Sequence, residues 1–217
     1  MKIASRTTPR MIMTAGLLGG LTLALWSFFS WSVLSWPSGA ERSLGNEDEV
    51  LRVLVSNLHK SGIYKFPSIP RRDLKGGAEW ALYKAKRRVG PYGLIVYVPH
   101  GKDFVIPIIR GIALDLVAAT LAALLTSAAS HLLFRYWQRV LFVFALGIFA
   151  ALVSWLTFWN WDSFPNSYFL ARAADVAISW LLTGLVMGWT LWPSPSRDDR
   201  VADHVQGIHS CKFGPTF

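Results

Sequence analysis

Cysteine is almost missing from this chain: Cys211 is the only one in 217 residues. A single thiol has no partner within its own chain, so a fold built on internal disulfides is excluded. Charge is scarce too, with Asp, Glu, Lys and Arg making up 16%. A disordered chain needs many charges and few aromatics, and here 14% of the residues are aromatic. Catalytic spacings are likewise missing. There is no paired CxxC, no HExxH, no phosphate-cradling glycine loop and no nucleophile elbow. The five histidines, His59, His100, His131, His204 and His209, are scattered. His209 with Cys211 supplies two ligands where a metal site needs three or four. His131 reads as a polar residue at headgroup level. No cofactor, metal or catalytic residue is nominated, and an enzyme is the least supported class.

What the sequence does contain is long apolar runs. Four of them, at 11–36, 111–134, 140–159 and 173–192, are each long enough to cross a hydrocarbon core of roughly 30 Å as a helix. That excludes a water-soluble protein. The first run follows Lys2, Arg6 and Arg10 and resembles a secretion signal, with Ser38, Gly39 and Ala40 as small residues near a cleavage point. Its length exceeds the 7 to 15 apolar residues of a cleaved signal, which favours a retained anchor. The expected fold is a membrane α-helical one: a four-helix transmembrane bundle with a small α/β extracytoplasmic domain at 37–110, between the first and second spans. Residues 1–10 form the N-terminal segment, 135–139 and 160–172 are short loops, and 193–217 is a tail without periodicity.

Four spans put both termini on one side, and the charges choose between two orientations. The 37–110 loop holds 13 of the 22 Lys and Arg residues and is net +6, which read alone would make it cytoplasmic. The positive-inside bias acts through short loops and the residues next to spans, and long segments cross regardless. Counted that way, the terminal side carries Lys2, Arg6, Arg10, Arg135, Arg139, Arg197, Arg200 and Lys212. The other side carries only Arg42, Arg52, Lys102, Arg110 and Arg172. Cytoplasmic termini and an exported loop follow. Trp31 and Trp36, Trp155, Trp159 and Trp161, and Trp189 and Trp192 close the first, third and fourth spans, where indoles suit the headgroup zone. Pro193 and Pro195 stop the last helix.

Within the loop, Asn46 is placed to cap a helix whose first turn carries Glu47, Asp48 and Glu49. Val50, Leu51, Leu54, Val55 and Leu58 follow at helical spacing as one apolar face, and Gly62 lies past the end. Residues 63–66 read as a strand stopped by Pro67. A second helix is predicted over 73–89, weakened by Gly76 and Gly77 and closed by Gly90, and 94–98 reads as a second strand. The pattern leaves the relative direction of the two strands open. Lys84, Lys86, Arg87 and Arg88 form the densest basic cluster. The plainer reading, a solvated face with cations near a helix C-terminus, is favoured. The sharper one is an anionic partner: lipid headgroups, or nucleic acid if the topology were reversed.

Ionisable groups inside spans are costly, so Asp115 and Asp175 are the functional candidates. Asp115, Ala119, Ala122 and Thr126 share one face of the second span, and Asp175, Ser179 and Thr183 share one face of the fourth. Polar and small faces avoid lipid, so these two helices are expected to touch there, with both carboxylates near the same interface. Arg172 is spaced to pair with Asp175, and Arg110 is placed to serve Asp115 from the interface. Such pairing is the structural reading of the cluster Asp115, Asp175, Arg172 and Arg110. The functional one is a proton or cation site made by two neighbouring carboxylates. Gly16 with Gly20, Ala118 with Ala122, Gly147 with Ala151, and Gly184 with Gly188 are spaced for close helix approach, within one chain or between copies.

Several short elements occur together: Trp36, Glu47 to Val50, Ser61-Gly62-Ile63-Tyr64, Gly90-Pro91-Tyr92, Asn160-Trp161 with Phe164-Pro165, and Asp175 with Trp180 and Gly184. In this combination, over about residues 36 to 190, the chain resembles a family of small bacterial inner-membrane proteins. The resemblance implies four spans, an exported α/β loop and a place in the bacterial inner membrane. That family has no assigned reaction, so no catalytic residue is carried over. The first expectation for function is a non-enzymatic structural or interaction component of the cell envelope. Its partners would be the lipid bilayer, a membrane or envelope protein, or a second copy of the chain, and not nucleic acid. The alternative is a small transporter or proton-coupled component using Asp115 and Asp175.

Overall fold

The computed structural model describes residues 7–35, 41–70, 76–101 and 103–191. In chain order the elements are α1 (Pro9–Phe29), a π-helical turn (Ser30–Leu34), α2 (Glu47–Asn57), β1 (Gly62–Phe66), α3 (Ala78–Val89), β2 (Gly93–Tyr97), α4 (Val105–Ala128), α5 (Tyr136–Asp162) and α6 (Asn166–Thr190). Four helices are long and apolar enough to cross a membrane: Pro9–Leu34, α4, α5 and α6, with 26, 24, 27 and 25 residues. At a rise of about 1.5 Å per residue they reach roughly 36 to 40 Å, more than a hydrocarbon core requires. The chain is a multi-pass membrane protein.

The helix ends differ from those read off the apolar runs, and local hydrogen bonds explain the differences. The second span starts at Val105, not 111, because the Asp103 carboxylate accepts the Val105 N–H at 3.2 Å, and Pro107 falls in the first turn, where no N–H is needed. It stops at Ala128, not 134, in a turn where a His131 ring nitrogen lies 3.1 Å from the Ala128 carbonyl. The expected 135–139 loop is largely helix, since α5 starts at Tyr136 with the Gln138 side chain accepting the Arg135 N–H at 2.8 Å. The third span extends to Asp162. The fourth opens at Asn166 instead of 173, with the Phe169 N–H bonded to the Pro165 carbonyl at 3.0 Å. Charged residues had marked the span edges too tightly, because long cationic side chains are carried within the end turns of a span. The first span begins at Pro9, where the Thr8 hydroxyl accepts the Met11 N–H at 3.4 Å. Trp36, Trp192, Pro193, Pro195, Cys211, His204, His209 and the cations at positions 2, 6, 102, 197, 200 and 212 lie outside the described residues.

The chain divides into two compact units. Among the described residues the first comprises 7–29, 109–149 and 176–191, with a core of Ala15, Leu23, Ala119, Ala122, Ala123, Val143, Met187 and Leu191. Its packing depends on missing side chains. A Cβ added at Gly16 would stand 2.7 Å from Thr120 Oγ1, and one at Gly20 would stand 2.8 Å from the Leu116 Cα, so α1 and α4 approach along this pair of glycines. Gly19, on the neighbouring face of α1, meets Met187 and Thr183 of α6. The small faces of α4 and α6 are thus both buried, with α1 packed against each. Gly147 of α5 receives the Trp180 ring, and Gly184 and Gly188 of α6 lie against Val140 and Tyr136. Tyr136 also donates its hydroxyl to the Leu185 carbonyl at 3.1 Å.

The second unit comprises the described residues of 30–108 and 150–175. Its β1 and β2 form a two-stranded antiparallel sheet in which Gly62 pairs with Tyr97, Tyr64 with Ile95 and Phe66 with Gly93. The Phe66 ring covers Gly93, where an added Cβ would lie 2.8 Å from it. Asn46 caps α2 as its composition predicts, accepting the Glu49 N–H at 3.4 Å. Residues 73–75 lie outside the described residues, and α3 starts only at Ala78, after Gly76 and Gly77 at φ 112° and 96°. No described residue between 41 and 101 is buried. Among its described residues the loop therefore shows no core of the kind a free-standing domain needs. Leu51 and Val55 of the apolar α2 face are exposed, while Val50, Leu54 and Leu58 are half-buried. Contacts to the end of α5 hold the loop instead: Lys65 Nζ lies 2.5 Å from an Asp162 oxygen, and the Tyr92 hydroxyl donates to the Trp161 carbonyl at 2.9 Å.

Candidate functional site

Charge inside a span has to be compensated locally, and the second unit shows how this chain does so. The helix that begins as α1 widens into a π turn at Ser30–Leu34. Such turns insert a residue into the helical register and recur at functional sites. Here the turn starts at Ser30, which is fully buried. Its hydroxyl donates to Asp175 Oδ1 at 2.7 Å. Asp175, 7% exposed, lies three residues after Arg172 on α6, and Arg172 Nη1 stands 3.7 Å from Asp175 Oδ2. Each carboxylate oxygen thus has its own partner.

Two indoles enclose the cation. The Arg172 guanidinium carbon lies 5.1 Å from the centre of the Trp31 ring and 4.6 Å from that of Trp155. Both separations are within cation–π range. Arg172 Nε is buried and has no hydrogen-bond partner among the described residues, so stacking and the ion pair, not hydrogen bonding, hold that edge of the guanidinium. Further aromatics back the site: Trp155 meets Tyr168 edge-on at 6.3 Å, and Phe164 and Tyr168 are 5.5 Å apart. The arrangement is a closed salt bridge shielded by rings, suited to locking three spans and unsuited to presenting a reactive group.

Of the four residues picked from sequence, Arg110 and Asp115 lie in the first unit and Arg172 and Asp175 in the second. Arg172 and Asp175 come together as their spacing predicts. Asp175, however, is the tenth residue of α6 and not in its first turn, because the helix begins at Asn166. Asp115 belongs to the first unit, is half-buried, and has no hydrogen bond or ion pair among the described residues. Arg110 does not serve it. Five residues apart on a helix is roughly 140° of rotation, and Arg110 is exposed on another face of α4. Ser30, Trp31 and Trp155 were missed: the tryptophans read as headgroup anchors, and nothing in the sequence marks a π turn. Arg139 was missed as well. Read as a loop cation, it is the fourth residue of α5 and 3% exposed.

Among the described residues no group of three or more His, Cys, Asp or Glu could hold a metal ion. No family model, no curated protein and no solved structure matches the chain.

Proposed function

We propose that this protein is a non-enzymatic structural or interaction component of a bacterial cell envelope. In this reading four spans form one bundle in the inner membrane, with the termini in the cytoplasm and the 37–110 loop as a small α/β lobe outside it. The observation that carries the reading is the state of Asp175. Its charge is committed to Ser30 and Arg172, and the cation is held between two indoles. A carboxylate so engaged serves assembly. The lobe shows apolar side chains to solvent, with Ile63 and Val96 opposite one another on the sheet and each 68% exposed, which suits contact with another envelope protein.

Photo-crosslinking in native membranes tests this directly. A photoreactive residue at Ile63 or Val96 should yield one defined protein adduct, and the Asp175→Asn variant should still form it if it assembles. Absence of any protein adduct from either position would remove the interaction reading. Sidedness is checked by a reporter fused near residue 75, which should register outside the cytoplasm.

A second reading, a proton-coupled component, rests on Asp115 alone. That carboxyl lies inside a span without a partner among the described residues, next to the buried Ala119 turn of the same face. An apolar carbodiimide, which attacks protonated carboxyls in apolar surroundings, should then label Asp115, and Asp115→Asn should abolish a pH-dependent flux without loss of folding.

A further inference from the structure

The basic turn of α3 is tied to the end of a membrane span by a short chain of contacts. Span α5 closes with Trp159 and Trp161, side chains that settle at the headgroup level. Lys65 and Tyr92 reach Asp162 and Trp161 at that end. The Arg87 guanidinium carbon stands 4.5 Å from the Tyr92 ring centre, and its Nη1 donates to the Tyr83 hydroxyl at 3.2 Å. Two contacts therefore link the last turn of α3 to the end of the span. Trp80, Tyr83, Lys84 and Arg87 share one ridge of α3. Trp80 stacks on Tyr83 at 5.4 Å, with Lys84 Nζ 5.7 Å above Trp80. Interleaved aromatics and cations are the composition of a helix that lies in a membrane interface.

Among the described residues the other cations of α3 have no partner of opposite sign. Lys84, Lys86 and Arg88 are exposed, and none is paired with a carboxylate among the described residues. The only acid of α3 is Glu79, in its first turn. We infer that α3 binds the headgroups of anionic phospholipids through Lys84, Lys86 and Arg88, with Arg87 and Tyr92 holding the helix at headgroup height. The inference needs the loop to lie against a bilayer and holds whichever side the loop faces. Failure of the proposed envelope role would leave it intact.

Nanodiscs carrying the full chain test it. A Cys211→Ser, Ala85→Cys variant is labelled with an environment-sensitive dye and reconstituted in phosphatidylcholine alone or with about a third phosphatidylglycerol. The dye emission should shift to the blue only in the anionic discs, and about 0.5 M salt should reverse the shift, because exposed charges are screened. Each cation near an anionic surface raises association about fivefold, so Lys84→Gln, Lys86→Gln and Arg88→Gln together should weaken it about a hundredfold. Lys84→Arg with Lys86→Arg should keep the shift, and that separates lost charge from a lost fold. Equal emission in the two lipid compositions, or a shift that survives the triple substitution, would overturn the inference. So would a shift reproduced in neutral discs by inorganic phosphate, since the site would then take a free anion and not a lipid.

Discussion

Replacing Arg172 with leucine should unfold the second unit more easily than any other single change in α6. At 3.7 Å and an effective dielectric near 20, the attraction to Asp175 is about 4 kcal/mol before desolvation. That gross figure is not the measured cost. What counts is the state left behind, a carboxylate 7% exposed that has lost its guanidinium partner. Leaving one partner of a buried pair alone costs about 3–5 kcal/mol, and losing the guanidinium from between two indoles adds about 1 kcal/mol. Asp175→Asn should cost less, because its side-chain oxygen still accepts from Ser30 and Arg172 keeps both rings. The double variant Arg172→Leu, Asp175→Leu should recover much of the loss, since no charge is then stranded. The assay is unfolding in mixed detergent micelles, followed by tryptophan fluorescence, with Trp31 and Trp155 as local reporters. A coupling energy above about 1.5 kcal/mol in the double-mutant cycle is expected. If the two single changes add within about 0.5 kcal/mol, the ion pair is incidental and the assembly role argued from it fails.

Glycine substitutions offer a sharper test of the packing. Gly147→Ala would drive a methyl group into the root of the Trp180 side chain, which cannot yield, whereas Gly19→Ala would meet the terminal methyl of Met187, which can turn aside. Thermal stability in detergent should therefore fall by about 2 kcal/mol or more for Gly147→Ala and by about 1 kcal/mol or less for Gly19→Ala; the reverse order would mean the α5–α6 contact is misplaced. Lys65→Met should raise the rate at which protease nicks the loop while leaving span unfolding unchanged, because Lys65 is one of the ties to Asp162. The hydrogen bond that Lys65 donates to the Asp162 carboxylate holds its ammonium above its ordinary pKa. A raised pKa means that this tie is complete below the unfolded value and is lost only as pH climbs through the folded one. Proteolysis of the natural chain should thus be the same at pH 6 and 8 and rise only in strongly alkaline buffer. Gly93→Val should displace the Phe66 ring and disrupt β1–β2 pairing, read as loss of loop protection in hydrogen exchange.

How much of this was legible in the sequence depends on what kind of signal each feature leaves. Apolar length is a sum over many residues, so the four spans stand out even where single residues mislead. Caps and turns act within a few residues, and Asn46 and Gly90 accordingly mark the start of α2 and the end of α3, whereas Gly77, read as a weak point inside a helix, lies just before the start of α3. Strand direction was not legible, because alternation is the same in both directions, and only the register, with Gly62 opposite Tyr97 and Phe66 opposite Gly93, makes the sheet antiparallel. The absence of a buried core in the loop was also hidden. Leu51 and Val55 carry the periodicity of a packed face whether or not anything covers them.

The charged residues expose the deeper limit. In a soluble protein a charge reports the surface, and reading Arg110, Arg139 and Arg172 as span edges applies that rule to lipid. Within a span the same side chain has three outcomes. It can stay exposed, as Arg110 is; it can be buried near the start of its helix, as Arg139 is; or it can be enclosed between rings beside a carboxylate, as Arg172 is with Asp175. Spacing separates these only when the partner is close in sequence, and that is why the three-residue step from Arg172 to Asp175 was readable. The Ser30 contact, 145 residues away and presented by a π turn, was not. It follows that Ser30→Ala is the substitution whose effect sequence alone would least anticipate. The change removes one hydroxyl from a fully buried position and leaves Asp175 Oδ1 without that donor, at a cost of about 1–3 kcal/mol. A change below about 0.5 kcal/mol would show that Asp175 is satisfied without Ser30 and that this hydroxyl of the π turn has no part in holding the charge.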